Sequence, residues 1–101
     1  MPNGDDKNWI RVCCSIDGFR AKYGRWPLRV RITPISYIDI IDHILSPMGF
    51  ALVSSHVALV GEEDAEMVSE DDDGNSHNYG SEGGGDVSDR TIDFFGQAIF
   101  R

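Results

Sequence analysis

The stretch Tyr23–Pro34, which reads YGRWPLRVRITP, contains the signals that decide the fold. Gly24 can adopt the left-handed backbone conformation that ends a helix, and Pro27 cannot continue one. Residues Leu28–Ile32 then alternate between apolar and basic side chains, which is typical of a strand with one buried face. The hydroxyl group of Thr33 can cap a second helix. Pro34, the next residue, suits the first turn of that helix. The stretch therefore predicts a helix, a turn, a strand and a second helix, in that order.

Residues 8–23 carry apolar side chains at helical spacing. These residues are Trp9, Val12, Cys13, Ile16, Phe19 and Tyr23. The period continues up to the terminating glycine, which favours a helix, although Gly18 in its interior costs about 1 kcal/mol relative to alanine. A hairpin is the alternative, because residues 10–16 also alternate and are followed by Asp17-Gly18, a hairpin turn signal.

The rest of the chain predicts further strands. A helix over 34–45 is apolar around so wide an arc that burial on more than one side is expected. A strand over His56–Val60 follows, and the helical connection makes it parallel to the first strand. A hairpin over 66–79 is expected to turn at Asp73-Gly74, with Glu70 opposite His77. These elements predict an α+β fold, with a small mixed β-sheet of about four strands packed by two main helices and a short C-terminal element.

The 101 residues are expected to form a single domain. Within it, residues 1–7 are interpreted as a flexible leader and residues 80–89 as a flexible loop rich in glycine, serine and aspartate. Residues 90–101 form an apolar tail element, whose helix Ser88 could cap. The tail either docks on its own core, which is the simpler expectation, or binds another molecule.

The two cysteines, Cys13 and Cys14, are adjacent and are interpreted as small buried apolar side chains. Because neighbouring cysteines rarely bridge, no disulfide framework is expected. The N-terminus lacks the pattern of a signal peptide, and no apolar run is long enough to span a bilayer. The sequence therefore predicts a cytoplasmic protein.

No catalytic or metal-binding pattern is present. The three histidines, at positions 43, 56 and 77, do not have the spacing of metal ligands. The run Glu70–Asn75 matches a calcium-binding loop only at Asp71 and Asp73, and no nucleophile or phosphate-loop motif occurs. We therefore expect a protein that is not an enzyme and that has no cofactor.

The net charge of −8 is divided unevenly along the chain. Residues 1–60 carry five acidic and seven basic side chains, a balance of +2, whereas residues 61–101 carry twelve and two, a balance of −10. An acidic hairpin could occupy a basic surface of another protein and mimic nucleic-acid phosphates, as some phage-encoded inhibitors of host defence do. The sequence thus predicts a small acidic binding module that acts by protein–protein contacts. Its predicted contact residues are Glu70, Asp71, Asp72 and Asp73, with Phe94, Phe95 and Phe100 as apolar anchors.

The basic half supports an alternative function. The basic face spans residues 20–31, where Arg29 and Arg31 project together from the first strand and Arg20, Lys22, Arg25 and Trp26 lie just upstream. Arginines interleaved with an aromatic side chain suit phosphate contact and base stacking, which predicts nucleic-acid binding. The overall negative charge opposes the approach of a polyanion, and the same arginines could instead pair with acidic side chains of an adjacent strand.

Overall fold

The chain folds as an α+β protein, and a computed structural model describes residues 6–81, 87 and 89–101. Most of the predicted leader 1–7 and of the predicted loop 80–89, together with Ser88, lies outside the described residues. None of the described helices is both long enough and apolar enough to cross a membrane.

Helix α1 runs from Lys7 to Tyr23, so the helix prediction is confirmed over the hairpin alternative. It ends at Gly24, whose φ of 73° is the left-handed conformation expected there. Its inner face buries Trp9, Ile16 and Phe19. The predicted burial of both cysteines is only half right, because Cys13 is buried whereas Cys14 is exposed.

Within the described residues, four strands form a mixed sheet in the order β2-β1-β3-β4. They are β1 (Arg29–Ile32), β2 (Ala58–Gly61), β3 (Val68–Glu70) and β4 (Ser76–Asn78). The central strand β1 is parallel to β2 and antiparallel to β3, as the helical connection and the hairpin require. The predicted fold class is therefore confirmed.

Three helical segments lie between β1 and β2. Helix α2 (Pro34–Asp39) starts at Thr33, whose hydroxyl accepts a hydrogen bond from the Ser36 N–H group. A π-helical turn (Ile40–Ile44) follows, and helix α3 (Pro47–Ser54) begins with its own cap at Ser46. The predicted single helix over 34–45 therefore changes from α-helical to π-helical winding at Ile40. Pro47, which lies just beyond it, is the first residue of α3.

The broad apolar arc of the second helix is buried on one side only. Ile40, Ile44 and Leu45 lie in the core, whereas Ile35 is 82% exposed and Ile38 is half exposed. The expectation of burial on more than one side is therefore wrong. No element in the described part of the chain covers Ile35, so this part of the apolar arc stays exposed.

The hairpin β3–β4 pairs one residue away from the predicted register. Glu70 lies opposite Ser76, and His77 lies opposite Ser69. Because side chains alternate between the faces of a sheet, this shift moves His77 from the outer face to the face beneath α1. There His77 is 6% exposed, and Ser15 of α1 lies 2.8 Å from the Ser69 hydroxyl (Oγ–Oγ).

The register differs because the loop contains three residues, 72–74, instead of two. The Asp71 N–H group donates to the Asn75 carbonyl and closes the loop, and Gly74 takes a left-handed φ of 89°. Asp71 Oδ1 also accepts hydrogen bonds from the backbone N–H groups of Asp73 and Asn75, at 2.9 and 3.1 Å. This side-chain turn competes with the two-residue turn that Asp73-Gly74 alone would favour.

Helix α4 (Thr91–Phe95) belongs to the predicted tail element. Its first turn is held by α1, because the N–H and hydroxyl groups of Thr91 both donate to Asp17 Oδ1, at 2.9 and 2.7 Å. Beyond α4, Ile99 is buried and Phe100 forms an isolated β-bridge with Leu45. The tail therefore docks on its own core.

Candidate protein-binding face

One face of the sheet packs on α1 and the other carries charged side chains. Along β1, Val30 and Ile32 are buried in the core, whereas Arg29 and Arg31 point to the opposite face. The antiparallel pairing places Glu70 of β3 beside Arg29. Alternation in two neighbouring strands therefore brings opposite charges together on the outer face.

Glu70 is the central acceptor of this outer face. Arg29 Nε donates to Glu70 Oε2 and Arg31 Nε donates to Glu70 Oε1, each at 2.8 Å. Arg29 Nη2 also donates to Asp72 Oδ1 at 2.8 Å, and Arg31 Nη1 to Glu62 Oε2 at 3.5 Å. The two arginines thus share one carboxylate and extend from it in opposite directions.

Arg25 connects the turn after α1 with the tip of the hairpin. Its guanidinium donates to Asp71 Oδ2 and lies 3.3 Å from Asp73 Oδ2 (Nη2–Oδ2). Asn75 Nδ2 donates to the same Asp71 oxygen at 3.0 Å. Asp71 is therefore buried among donors and serves the structure of the turn.

These contacts keep the two inner carboxyl groups ionised. The hydrogen bond from Arg25, supported by the backbone donors of the turn, lowers the pKa of Asp71 although partial burial opposes the shift. Burial alone would raise the pKa of Glu70, but the hydrogen bonds from Arg29 and Arg31 outweigh it and lower that pKa below its usual value.

The ion pairs of the outer face form two neighbouring groups that share no residue and are together called the charge network. Arg25 binds Asp71 and Asp73, whereas Arg29 and Arg31 bind Glu62, Glu70 and Asp72. Three arginines thus face five carboxylates, which leaves a negative surplus. The surplus lies at the hairpin tip, where the side chains of Asp72 and Asp73 are 71% and 77% exposed.

A shallow groove of about 330 Å³ runs beside the network on the same face. Three carboxylates, those of Asp64, Glu66 and Glu70, line it together with Arg31. Because Arg31 is already bound to Glu70, the groove is also negative overall. The outer face therefore continues to attract positive charge beyond the hairpin tip.

An aromatic cluster lies at the end of the sheet where β1 and β2 begin. It comprises Trp26, His56, Phe94 and Phe95, with ring centroids 5.0–5.8 Å apart. The Arg20 guanidinium covers one ring of Trp26 at 4.4 Å from its centroid. Phe94 is 43% exposed, whereas Phe95 is buried. The cluster therefore presents one phenylalanine to the outside.

The acidic and basic sites predicted from sequence occupy the same surface. Glu70 and Asp71 hold the arginines of the predicted nucleic-acid site, and Asp72 and Asp73 each contact one arginine at the rim. Trp26 of that predicted site belongs instead to the aromatic cluster. Of the predicted apolar anchors, Phe94 is exposed, Phe100 is partly buried and Phe95 lies in the core.

Sequence reasoning placed His56 in no site, and it included Arg20 and Glu62 only as parts of the basic 20–31 face and of the acidic half, without naming them as contact residues. Glu62 follows β2 directly, so its position beside Arg31 follows from the parallel pairing of β1 and β2, which was predicted. The contacts of His56 and Arg20 depend on where α4 docks, and no local pattern reports that position.

Among the residues that the structure describes, no group of three histidine, cysteine, aspartate or glutamate side chains is arranged to hold a metal ion. No family model, curated protein or solved structure matches this chain. The function must therefore be inferred from the chemistry of the charge network and the aromatic cluster.

Proposed function

We propose that this chain is a non-catalytic binding module that captures another protein through its negative outer face. The observation that carries the proposal is the surplus of carboxylates in the charge network, where five acidic side chains face three arginines. Because Glu70 and Asp71 are used internally, Asp72 and Asp73 are the carboxylates offered to a partner. The partner is expected to present a basic surface.

The aromatic cluster supplies the apolar part of the same binding surface. The hairpin tip follows β3 and the cluster adjoins the starts of β1 and β2, so the pairing of the strands places both at one end of the sheet. Arg25 of the network and Trp26 of the cluster are consecutive residues. An exposed aromatic side chain at the same end of the sheet as exposed carboxylates suits a partner surface that has both basic and apolar residues.

The exposed carboxylates of the hairpin tip also suit the mimicry of phosphates. A protein groove that binds nucleic acid carries the positive charge that Asp72 and Asp73 would neutralise. Under this proposal the chain inhibits its partner by occupying such a groove. The alternative, direct nucleic-acid binding by the arginines, is disfavoured because Arg25, Arg29 and Arg31 each already bind a carboxylate.

The test is affinity capture from a lysate of the source cells at low and high salt, with bound protein and bound nucleic acid identified separately. Asp72→Lys and Asp73→Lys should each weaken capture of the identified protein at least tenfold. Asp42→Lys makes the same change of charge at an exposed residue outside the network and should leave capture unchanged. Equal capture by all three variants would overturn the electrostatic part of the proposal.

Two further results separate the proposed roles. Phe94→Ala should weaken capture, whereas Ile35→Ala, an equally simple truncation of an exposed apolar side chain on α2, should not. Nucleic acid added to the purified complex should compete with the chain for its partner. If nucleic acid is recovered directly with the chain and Arg29→Ala abolishes this recovery, the basic residues are the binding site instead.

A further inference from the structure

The two edges of the sheet are not equally protected. At the β4 edge, the outward carbonyl of Ser76 accepts a hydrogen bond from the Tyr23 hydroxyl at 3.1 Å. The outward carbonyl of Asn78 accepts one from the Ser81 N–H group at 3.0 Å. Elements of the chain itself therefore occupy the acceptors of this edge.

The β2 edge has no such cover within the described residues. The Ala58 N–H group donates to the Leu28 carbonyl, and the parallel register then turns the backbone groups of Ala58 and Val60 towards β1. The N–H and C=O groups of Leu59 and Gly61 consequently point away from the sheet. None of these groups has a hydrogen-bond partner in the part of the chain that the structure describes.

The charges around β2 indicate what kind of strand could pair with it. The strand leads directly into Glu62, Glu63 and Asp64, and the sequence contains no lysine or arginine between Arg31 and Arg90. Natural edge strands are commonly protected by lysine, and this edge has none. A second copy of the chain would bring a second set of these carboxylates and the same net charge of −8 to the interface.

We propose that β2 is a strand-addition site for an extended segment of another protein that carries lysine or arginine. The segment forms a fifth strand through the outward backbone groups of Leu59 and Gly61. Its apolar side chains lie beside Leu59 and Val60, and its basic side chains reach Glu62–Asp64. This site goes beyond the proposed function, because the backbone of β2 forms it and neither Asp72 nor Asp73 takes part, although Glu62 also belongs to the charge network.

Backbone amide hydrogen exchange tests the inference directly. The probe is a synthetic peptide of about ten residues in which valine alternates with lysine and threonine, a length that covers one strand. At low salt the peptide should slow the exchange of the Leu59 and Gly61 amides at least tenfold. The Ala58 and Val60 amides, which already face β1, should change little.

Two controls isolate backbone pairing from charge attraction. Gly61→Pro removes one outward N–H group and should reduce peptide affinity at least tenfold. Gly61→Ala is the matched control, because it adds a similar Cβ atom, about 3.3 Å from Tyr37, but keeps the N–H group. The same peptide methylated on every backbone nitrogen keeps its charge and should not protect Leu59 or Gly61, a result that requires no folded variant.

Several outcomes would overturn the inference. Peptide binding without protection of Leu59 and Gly61 would mean that charge attraction alone holds the peptide. The absence of binding at low salt would exclude the site. Protection of these amides that grows with protein concentration in the absence of peptide would assign the edge to a second copy of the chain. If the peptide no longer protects the Leu59 and Gly61 amides in Asp72→Lys, the peptide binds at the hairpin tip instead.

Discussion

The imidazole of His77 lies against the backbone of Gly18, where a Cβ atom would stand 2.1 Å from the imidazole Nε2. This contact joins β4 to the middle of α1 and gives a reason for glycine in a helix interior. It exists only because the hairpin register turns His77 towards the helix. At position 18, the packing of the hairpin against α1 therefore outweighs helix propensity and favours glycine.

Gly18→Ala should destabilise the fold although alanine is the better helix former. The gain in helix propensity is about 1 kcal/mol, whereas forcing a methyl group into a buried ring contact typically costs about 1–3 kcal/mol. We expect a net decrease of about 1 kcal/mol in the free energy of unfolding, measured by chemical denaturation. In a His77→Ala background the same substitution should instead be neutral or stabilising. A stabilising effect of Gly18→Ala in the wild-type background would contradict the contact.

The stability of the fold should fall between neutral and mildly acidic pH because of His77. Burial, followed by the positive charge of Lys22, lowers the pKa of His77 below its usual value of 6.5. The unfolded chain therefore binds a proton at a higher pH than the folded chain. The free energy of unfolding should be highest above pH 6.5 and should decrease as the pH falls below it, by at most about 1.4 kcal/mol per pH unit until the folded pKa is reached.

The measurement is a series of denaturation curves between about pH 5.5 and 7.5, a range in which histidine titrates and most carboxyl groups do not. His77→Asn should remove this pH dependence. His43→Asn, which changes an exposed histidine beside Asp39, serves as the control and should retain it. Identical slopes for the wild type and His77→Asn would show that another group is responsible.

Glu70→Gln should be more damaging than a neutral substitution at the exposed rim of the charge network. It removes the charge that both Arg29 and Arg31 contact, and we expect a loss of about 1–2 kcal/mol in the free energy of unfolding. Asp72→Asn, at the exposed rim, should cost less because solvent screens its contact with Arg29. Denaturation at low and high salt measures both losses, and an equal loss for the two variants would contradict the central role of Glu70.

The lowered pKa of Glu70 adds a pH dependence in a more acidic range. Glu70 stabilises the fold fully above its usual value of 4.5, and this stabilisation should decrease as the pH falls towards the folded pKa. Glu70→Gln should flatten the acidic limb of the stability profile. His77→Asn should not flatten it, because the two groups titrate in separate ranges.

Asp64→Gly should stabilise the turn between β2 and β3. The Ala65 N–H group donates to the Glu62 carbonyl, and Asp64 holds a left-handed φ of 61° within this turn. Glycine adopts that conformation without the Cβ clash, so we expect the free energy of unfolding to increase by up to about 1 kcal/mol. Glu63→Gly is the matched control and should destabilise, because its backbone needs no such freedom. Destabilisation by both variants would contradict the strain at Asp64.

The elements formed by neighbouring residues could be predicted from sequence. The left-handed Gly24, the cap at Thr33, the alternation of residues 28–32 and the parallel crossover all follow from side chains that are close along the chain. Each signal depends on the conformational limits of a few residues, and the fold does not have to be known first. The α+β class and the order of the elements were therefore determined by the sequence.

The partners of the charged and buried side chains were decided by tertiary structure. Whether Arg29 and Arg31 faced solvent or Glu70 depended on which strand became the neighbour of β1, and both outcomes satisfied the same alternation. The position of His77 depended on a register that the side chain of Asp71 shifts by one residue. Local patterns specify which face of an element is apolar, whereas pairing energies depend on atoms brought together from distant parts of the chain. This is why the acidic and basic residues predicted as separate sites pair with each other in the structure.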